Sequence, residues 1–140
     1  MGRSVNEVMT HDPQIVNAGD TLAEAARVMR EADVGPVLVV DDGGAVAGIL
    51  TDRDIVVRAV ADGRDPRSTP VREACSADLV TLTPDGDLDD AARLMREHDV
   101  RRLPVVQDGR PVGILSLGDL AVERDSDSAL ADISAASPND

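Results

Sequence analysis

GILTDRD (Gly48–Asp54) comes back near the other end of the chain as GILSLGD (Gly113–Asp119). The two stretches share a glycine, two aliphatic residues, a hydroxyl and an aspartate three residues after that hydroxyl. The sequence around them repeats as well. TLAEAARVMREADV (Thr21–Val34) matches DLDDAARLMREHDV (Asp87–Val100) at an offset of 66; past the intervening hairpin, one residue shorter in the second copy, GILT matches GILS at an offset of 65. Two copies of so long a unit are not a solenoid array. The simplest packing sets one unit against the other about a pseudo-two-fold axis.

Each copy reads as β-α-β-β-α. A short apolar strand, QIVN around Ile15 or VTLT around Thr81, leads through a turn to a helix that opens on a capping pattern, Thr21 with Glu24 or Asp87 with Asp90. Leu22, Ala26 and Met29 fall on one helical face, as do Leu88, Ala92 and Met95. Two strands follow, VLVV and AVAGIL around DDGG, then LPVV and PVGIL around QDGR; the Asp/Gly turns mark hairpins. A second helix closes each unit, DRDIVVRAVADG and the shorter LGDLAVER. The expected fold is therefore α+β, with repeats at 8–66 and 74–124 joined by the Pro/Arg/Ser connector GRDPRSTPVREA. Residues 125–140 are small and polar, with Leu130 and Ile133 as the larger apolar side chains, and the expectation there is a frayed tail.

Composition narrows the functions. The chain of 140 residues is 42% hydrophobic but contains no Phe, Trp or Tyr, so a bound base has only aliphatic side chains to rest on and the usual single-strand stacking platform is missing. A formal charge of -13 and a pI of about 4.3 repel nucleic-acid backbones and anionic membranes. Every basic residue is Arg, which excludes lysine Schiff-base chemistry and favours forked recognition of carboxylate or phosphate. Cys75 is the only cysteine, and the start carries no signal core, so a reducing, cytoplasmic setting is expected. His11, His98 and Cys75 lack zinc-site spacing, and no nucleophile–base arrangement can be assembled from two histidines; neither a metal site nor an enzyme is expected.

The hydroxyl and aspartate of the repeated motif have two readings. A hydroxyl at a strand end that opens a helix lies beside unpaired N–H groups and the positive end of the helix dipole, a place for an anion. The aspartate three residues on can accept from both vicinal hydroxyls of a ribose. Thr51 with Asp54, and Ser116 with Asp119, would then hold phosphate and sugar. The same pattern is also a capping box that needs no ligand. An anion bound to so acidic a chain requires local positive charge, for which Arg102, Arg53 and Arg58 are the candidates. The copies differ here. The first has Gly35 and Pro36 where the second has Arg101 and Arg102, whereas the second has Gly118 in place of Arg53; the second copy is the better candidate for an anionic ligand.

A tandem β-α-β-β-α unit with GILTDRD and DVRRLPVV at corresponding places resembles the CBS domain, named for cystathionine β-synthase, over Val8 to Arg124. The resemblance implies a stand-alone, non-catalytic pair forming a disc, with a cleft on each side for an adenosine-containing ligand such as AMP, ADP, ATP or S-adenosylmethionine. It gives Thr51, Asp54, Ser116 and Asp119 the roles argued above and lays the purine against Ile15, Val16, Val37 and Leu38 in the first copy and Thr81, Leu82, Leu103 and Pro104 in the second. The expected partners are a second copy, joined through apolar helix faces, and an effector protein, with no nucleic acid and no membrane. The rival expectation is a ligand-free interaction module whose motifs are only caps.

Overall fold

Each GIL run belongs to the last strand of its repeat. In the computed structural model, which describes residues 3–76 and 80–125, β4 (Val46–Thr51) lies antiparallel to β3 (Pro36–Val40), and β3 lies parallel to β2 (Ile15–Asn17). A second sheet has the order β1-β6-β5, formed by β1 (Thr10–His11), β6 (Arg110–Ser116) and β5 (Arg102–Gln107). The VTLT strand expected in the second repeat is reduced to a single parallel bridge, Leu82 with Val105. The chain divides into two units, each with its own core. Among the described residues, one holds 3–11, 80–107 and 112–125; the other holds 12–76 with the hairpin tip 108–111.

The short lead-in to each repeat pairs with the other repeat's last strand. Thr10 and His11, before the first repeat, pair with Ile114 and Gly113 of β6, and Ser76, before the second, bridges Ile49 of β4. These lead-ins account for the repeated glycine. A Cβ at Gly48 would lie 2.5 Å from the Ser76 carbonyl oxygen, and one at Gly113 would lie 2.5 Å from the Met9 sulfur and 2.9 Å from the Thr10 carbonyl oxygen. Only a residue without a side chain allows the strands so close.

Helix α1 (Val5–Val8), which precedes the repeats, buries Val5 completely. Helix α2 (Leu22–Ala32) starts on the expected box, Glu24 N–H donating to Thr21 Oγ1 and Thr21 N–H to the Glu24 carboxylate. Its buried face is Leu22, Ala25 and Met29, with Ala26 exposed, because Ala25 lies three residues after Leu22 and four before Met29 on the same helical face. Helix α4 (Leu88–His98) buries Leu88, Ala91, Ala92 and Met95. Its cap differs from the expected one: Asp87 accepts from Asp89 N–H, and Asp90 pairs instead with Arg93. His98 lies in the last turn, but the helix ends on Asp99 in the left-handed conformation, φ 52°.

The second helices also differ. In the first repeat α3 (Asp52–Asp54) passes directly into a π-helix over Ile55–Val60, whereas α5 (Leu117–Asp125) is α-helical. Ile55, Val56 and Val57 form a β-branched run that crowds an α-helical turn, and the wider π turn relieves it. The connector is more than a spacer. Its Thr69 and Pro66 carbonyls accept from Leu22 and Ala23 N–H at the start of α2, and it buries Val71 and Ala74 in the first-repeat core. Of the tail expected over 125–140, residues 126–140 lie outside the described residues.

Candidate functional site

The strand that carries each hydroxyl hands its last residue to the start of a helix, and the motif then closes on itself. Asp54 N–H donates to Thr51 Oγ1 at 3.1 Å while Thr51 N–H donates to Asp54 Oδ2 at 2.9 Å. Asp119 N–H donates to Ser116 Oγ and Ser116 N–H to Asp119 Oδ2, both at 3.0 Å. All four side chains are half-buried. Both motifs are thus complete capping boxes. Each hydroxyl proton and the second oxygen of each aspartate take no part in the box.

What adjoins the boxes is not the same. In the first repeat Asp52 N–H donates to the Gly35 carbonyl, Arg53 N–H to Asp52 Oδ1, and Asp54 Oδ1 pairs with Arg58 Nε at 3.8 Å. A carboxylate of the protein, Asp52, thereby occupies the place beside the helix start that an external anion would take. In the second repeat Leu117 N–H donates to the Arg101 carbonyl, and the Gly118 N–H has no partner among the described residues. The residue four after Asp119 is Glu123, held by Arg3 at 2.8 Å, so Asp119 keeps one oxygen without a partner among the described residues. Arg101 and Arg102 are exposed and form no ion pair among the described residues.

Strand alternation sorts the remaining candidates. Val16 and Val37 are packed into the first-repeat core, and Leu82 and Leu103 into the other, so these four can offer a ligand only backbone groups. Ile15, opposite Leu38 in the register, and Leu38 itself point to the other face of the sheet. Ile15 is 45% exposed and Leu38 fully buried. In the second repeat Thr81 is exposed and Pro104 buried, outside the helix-facing core. Arg53 is exposed, with no ion pair among the described residues. Sequence reasoning missed Asp52, the N1 position of the first helix, and noted Gly118, the N2 position of the second, only as a lost arginine. The signal was present: apart from the Thr/Ser exchange, the two motifs diverge at Asp-Arg against Leu-Gly.

Cys75 lies beside the first motif, and burial, with the Asp54 carboxylate adding to it, pushes its thiol up from the ordinary cysteine range. Among the described residues no group of three His, Cys, Asp or Glu side chains could hold a metal ion, and no helix is long and apolar enough to cross a membrane.

The CBS-domain family model matches this chain twice, over residues 5–60 and 71–125. The chain is 45% identical over 135 residues to the CBS domain-containing protein YhcV of Bacillus subtilis, covering 94% of this chain and 95% of that one. It is 31% identical to a solved signal-transduction protein with CBS domains from Burkholderia ambifaria, at a TM-score of 0.78 over 90% of this chain and 96% of the other. In fold it also matches the CBS domain pair of protein MJ0100, solved with 5-methylthioadenosine and S-adenosylmethionine, at a TM-score of 0.81, 23% identity and 91% and 100% coverage. Two family matches over two units that repeat one sequence motif place the chain in the CBS-domain family, as a tandem pair.

Proposed function

We propose that the protein senses an adenosine-containing ligand, AMP, ADP, ATP or S-adenosylmethionine, at the Ser116–Asp119 motif and passes its occupancy to a partner protein. CBS-domain pairs are regulatory modules rather than enzymes, and the ligands solved with the MJ0100 pair support the adenosine class. The observation that carries the choice of motif is its set of open groups: the Gly118 N–H, the second Asp119 oxygen and two exposed arginines beside the same helix start. In this reading the free Asp119 oxygen accepts from a ribose hydroxyl, and Gly118 N–H with Arg102 receives the anionic group. Thr81 and Pro104 line the purine. The first repeat is self-capped by Asp52 and offers an anionic ligand no such opening. Ligand binding biases whichever state of a cytoplasmic homodimer it prefers, and the effector reads that bias.

Thermal melts followed with an external dye test this, since the chain lacks Trp and Tyr. A ligand at about a hundred times its Kd stabilises by about 2.7 kcal/mol, a rise of several degrees. The expected rise survives Asp54→Ala and disappears in Asp119→Ala. A second reading, a ligand-free interaction module, is favoured by the closure of both boxes, and no shift with any of the four ligands would hand the function to it.

A further inference from the structure

The seat that the chain fills after its first repeat is already taken in the second. Past the first repeat the connector folds back: Val71 N–H donates to the Asp20 carbonyl, Arg72 N–H donates to the Ala18 carbonyl, and Val71 is completely buried. At the same offset of 66, the seat in the second repeat is filled from the other end of the chain. Val5 N–H donates to the Gly86 carbonyl, Asn6 N–H donates to the Pro84 carbonyl, and Val5 is completely buried. Residues 126–140, which follow the second repeat, therefore find that seat occupied. Within their reach lies an apolar groove of about 400 Å³ between α4 and α5, floored by Ala92, Met95 and Leu120, with Leu117 and Ala121 exposed along the α5 wall. Its edge carries Arg96 and Arg101 against Asp99, and neither arginine forms an ion pair among the described residues.

From this we infer that the segment 126–134 turns back on its own chain and covers the groove, with Leu130 and Ile133 filling it. Reach allows the return. Ala121 lies four residues back along α5 from Asp125, about 6 Å, whereas the five residues from Asp125 to Leu130 span up to about 16 Å when extended. Spacing suits the groove: Leu130 and Ile133, the larger apolar side chains of the segment, are three residues apart and share one face of a helical turn. Charge acts in the same direction. The segment carries Asp127 and Asp132 and no basic residue, so it brings net negative charge to an edge where two arginines outnumber one aspartate. The tether then favours this occupant over a second copy, because a segment joined to the groove wall through so few residues is present at an effective concentration on the order of mM. The segment thus acts as an intramolecular cover over the apolar face of the second repeat.

Disulfide trapping tests the cover. In the full chain with Cys75→Ser, Ala121→Cys is combined with Leu130→Cys or, as a control on nearly the same tether, with Ala131→Cys. Closure by diamide is followed through the loss of free thiols and the mass without reductant. The Leu130→Cys pair is expected to close within one chain about tenfold faster than the control. Equal rates, or no closure, would overturn the inference. So would a predominance of disulfides between chains, which would give the groove to a second copy. With Cys75 retained, Leu130→Asp together with Ile133→Asp is expected to raise the binding of a dye for apolar surfaces several-fold and to lower amide protection in α5, while protection around Leu50 stays as it was. Dye binding equal to that of the unsubstituted chain would also overturn the inference.

Discussion

The Thr51–Asp54 and Ser116–Asp119 boxes make the same two hydrogen bonds at nearly the same lengths, yet only one of them leaves groups open at the helix start. The first is closed by its own neighbours: Asp52 accepts from Arg53 N–H and Arg58 pairs with Asp54. The second has Leu117, Gly118 and Glu123 at those positions, none of which fills the same roles. The lesson is that one motif can be a cap in both copies while what it leaves open at the helix start is decided by residues one, two and seven positions after the hydroxyl. A capping box satisfies two N–H groups, and what remains of the four orphan donors is left to the adjoining side chains.

The largest expected effect tests whether the two units share stability as they share sequence. Leu50 and Leu115 are equivalent and fully buried in separate cores. Truncating either to Ala is expected to cost about 2–5 kcal/mol, and hydrogen exchange should show protection lost first in the mutated unit. Equal loss across both units in both variants would mean that the two cores unfold as one. Next come the glycines. Gly48→Ala drives a Cβ into the Ser76 backbone, whereas at Gly113 the nearest atom is the end of the flexible Met9 side chain, with the Thr10 carbonyl slightly farther off. Both should destabilise, by about 1–3 kcal/mol, with Gly48→Ala the costlier in denaturant titration; the reverse order would mean that the strand before the second repeat yields more easily than β1.

Removing the cap hydroxyls, Thr51→Ala and Ser116→Ala, should cost about 1 kcal/mol each in melts without ligand. If Ser116 matters only as a cap, the two variants will also respond alike to nucleotide; in the sensing reading only Ser116→Ala blunts the ligand shift. The smallest effect separates the two first helices. Donation from Thr21 N–H, then from its hydroxyl, holds the Glu24 carboxyl below the ordinary glutamate range. A group depressed in the folded state stabilises above its unfolded pKa, and that contribution is lost as pH falls through the lower, folded value. Protection of the Thr21 amide relative to its intrinsic exchange rate should therefore fall on acidification below the ordinary glutamate range, and the dependence should vanish in Glu24→Gln. The start of α4, which has no such glutamate, provides the internal control.

Much of this was legible in the chain. The repeat, the order of its elements, the hairpin turns and the caps of Thr21, Thr51 and Ser116 follow from local pattern, because caps and turns are satisfied within three or four residues. The candidate aspartates were legible for the same reason. Which residues of these strands turn away from the helix-packed cores was only half legible. Ile15, Leu38, Thr81 and Pro104 lie on one sheet face and Val16, Val37, Leu82 and Leu103 on the other, and alternation can be counted in a strand without revealing which face the helices cover. Ala25 rather than Ala26 faces the α2 core for a similar reason: the helical period tolerates either until a sheet is present to choose.

By itself the sequence determined what is local and repeated: two β-α-β-β-α units, their capping boxes, an aromatic-free interior and an acidic surface with its few arginines. The tertiary structure alone decided what depends on segments distant along the chain. It set the lead-in residues against the opposite repeat's last strand, so that the glycine of GIL is there for close backbone approach. It brought Arg101 and Gly35 against the two helix starts, where the repeats part company in charge. The physical reason is range: hydrogen bonds within a turn are fixed by neighbouring residues, whereas steric approach, burial and the charge around a site are sums over residues the chain must fold to assemble.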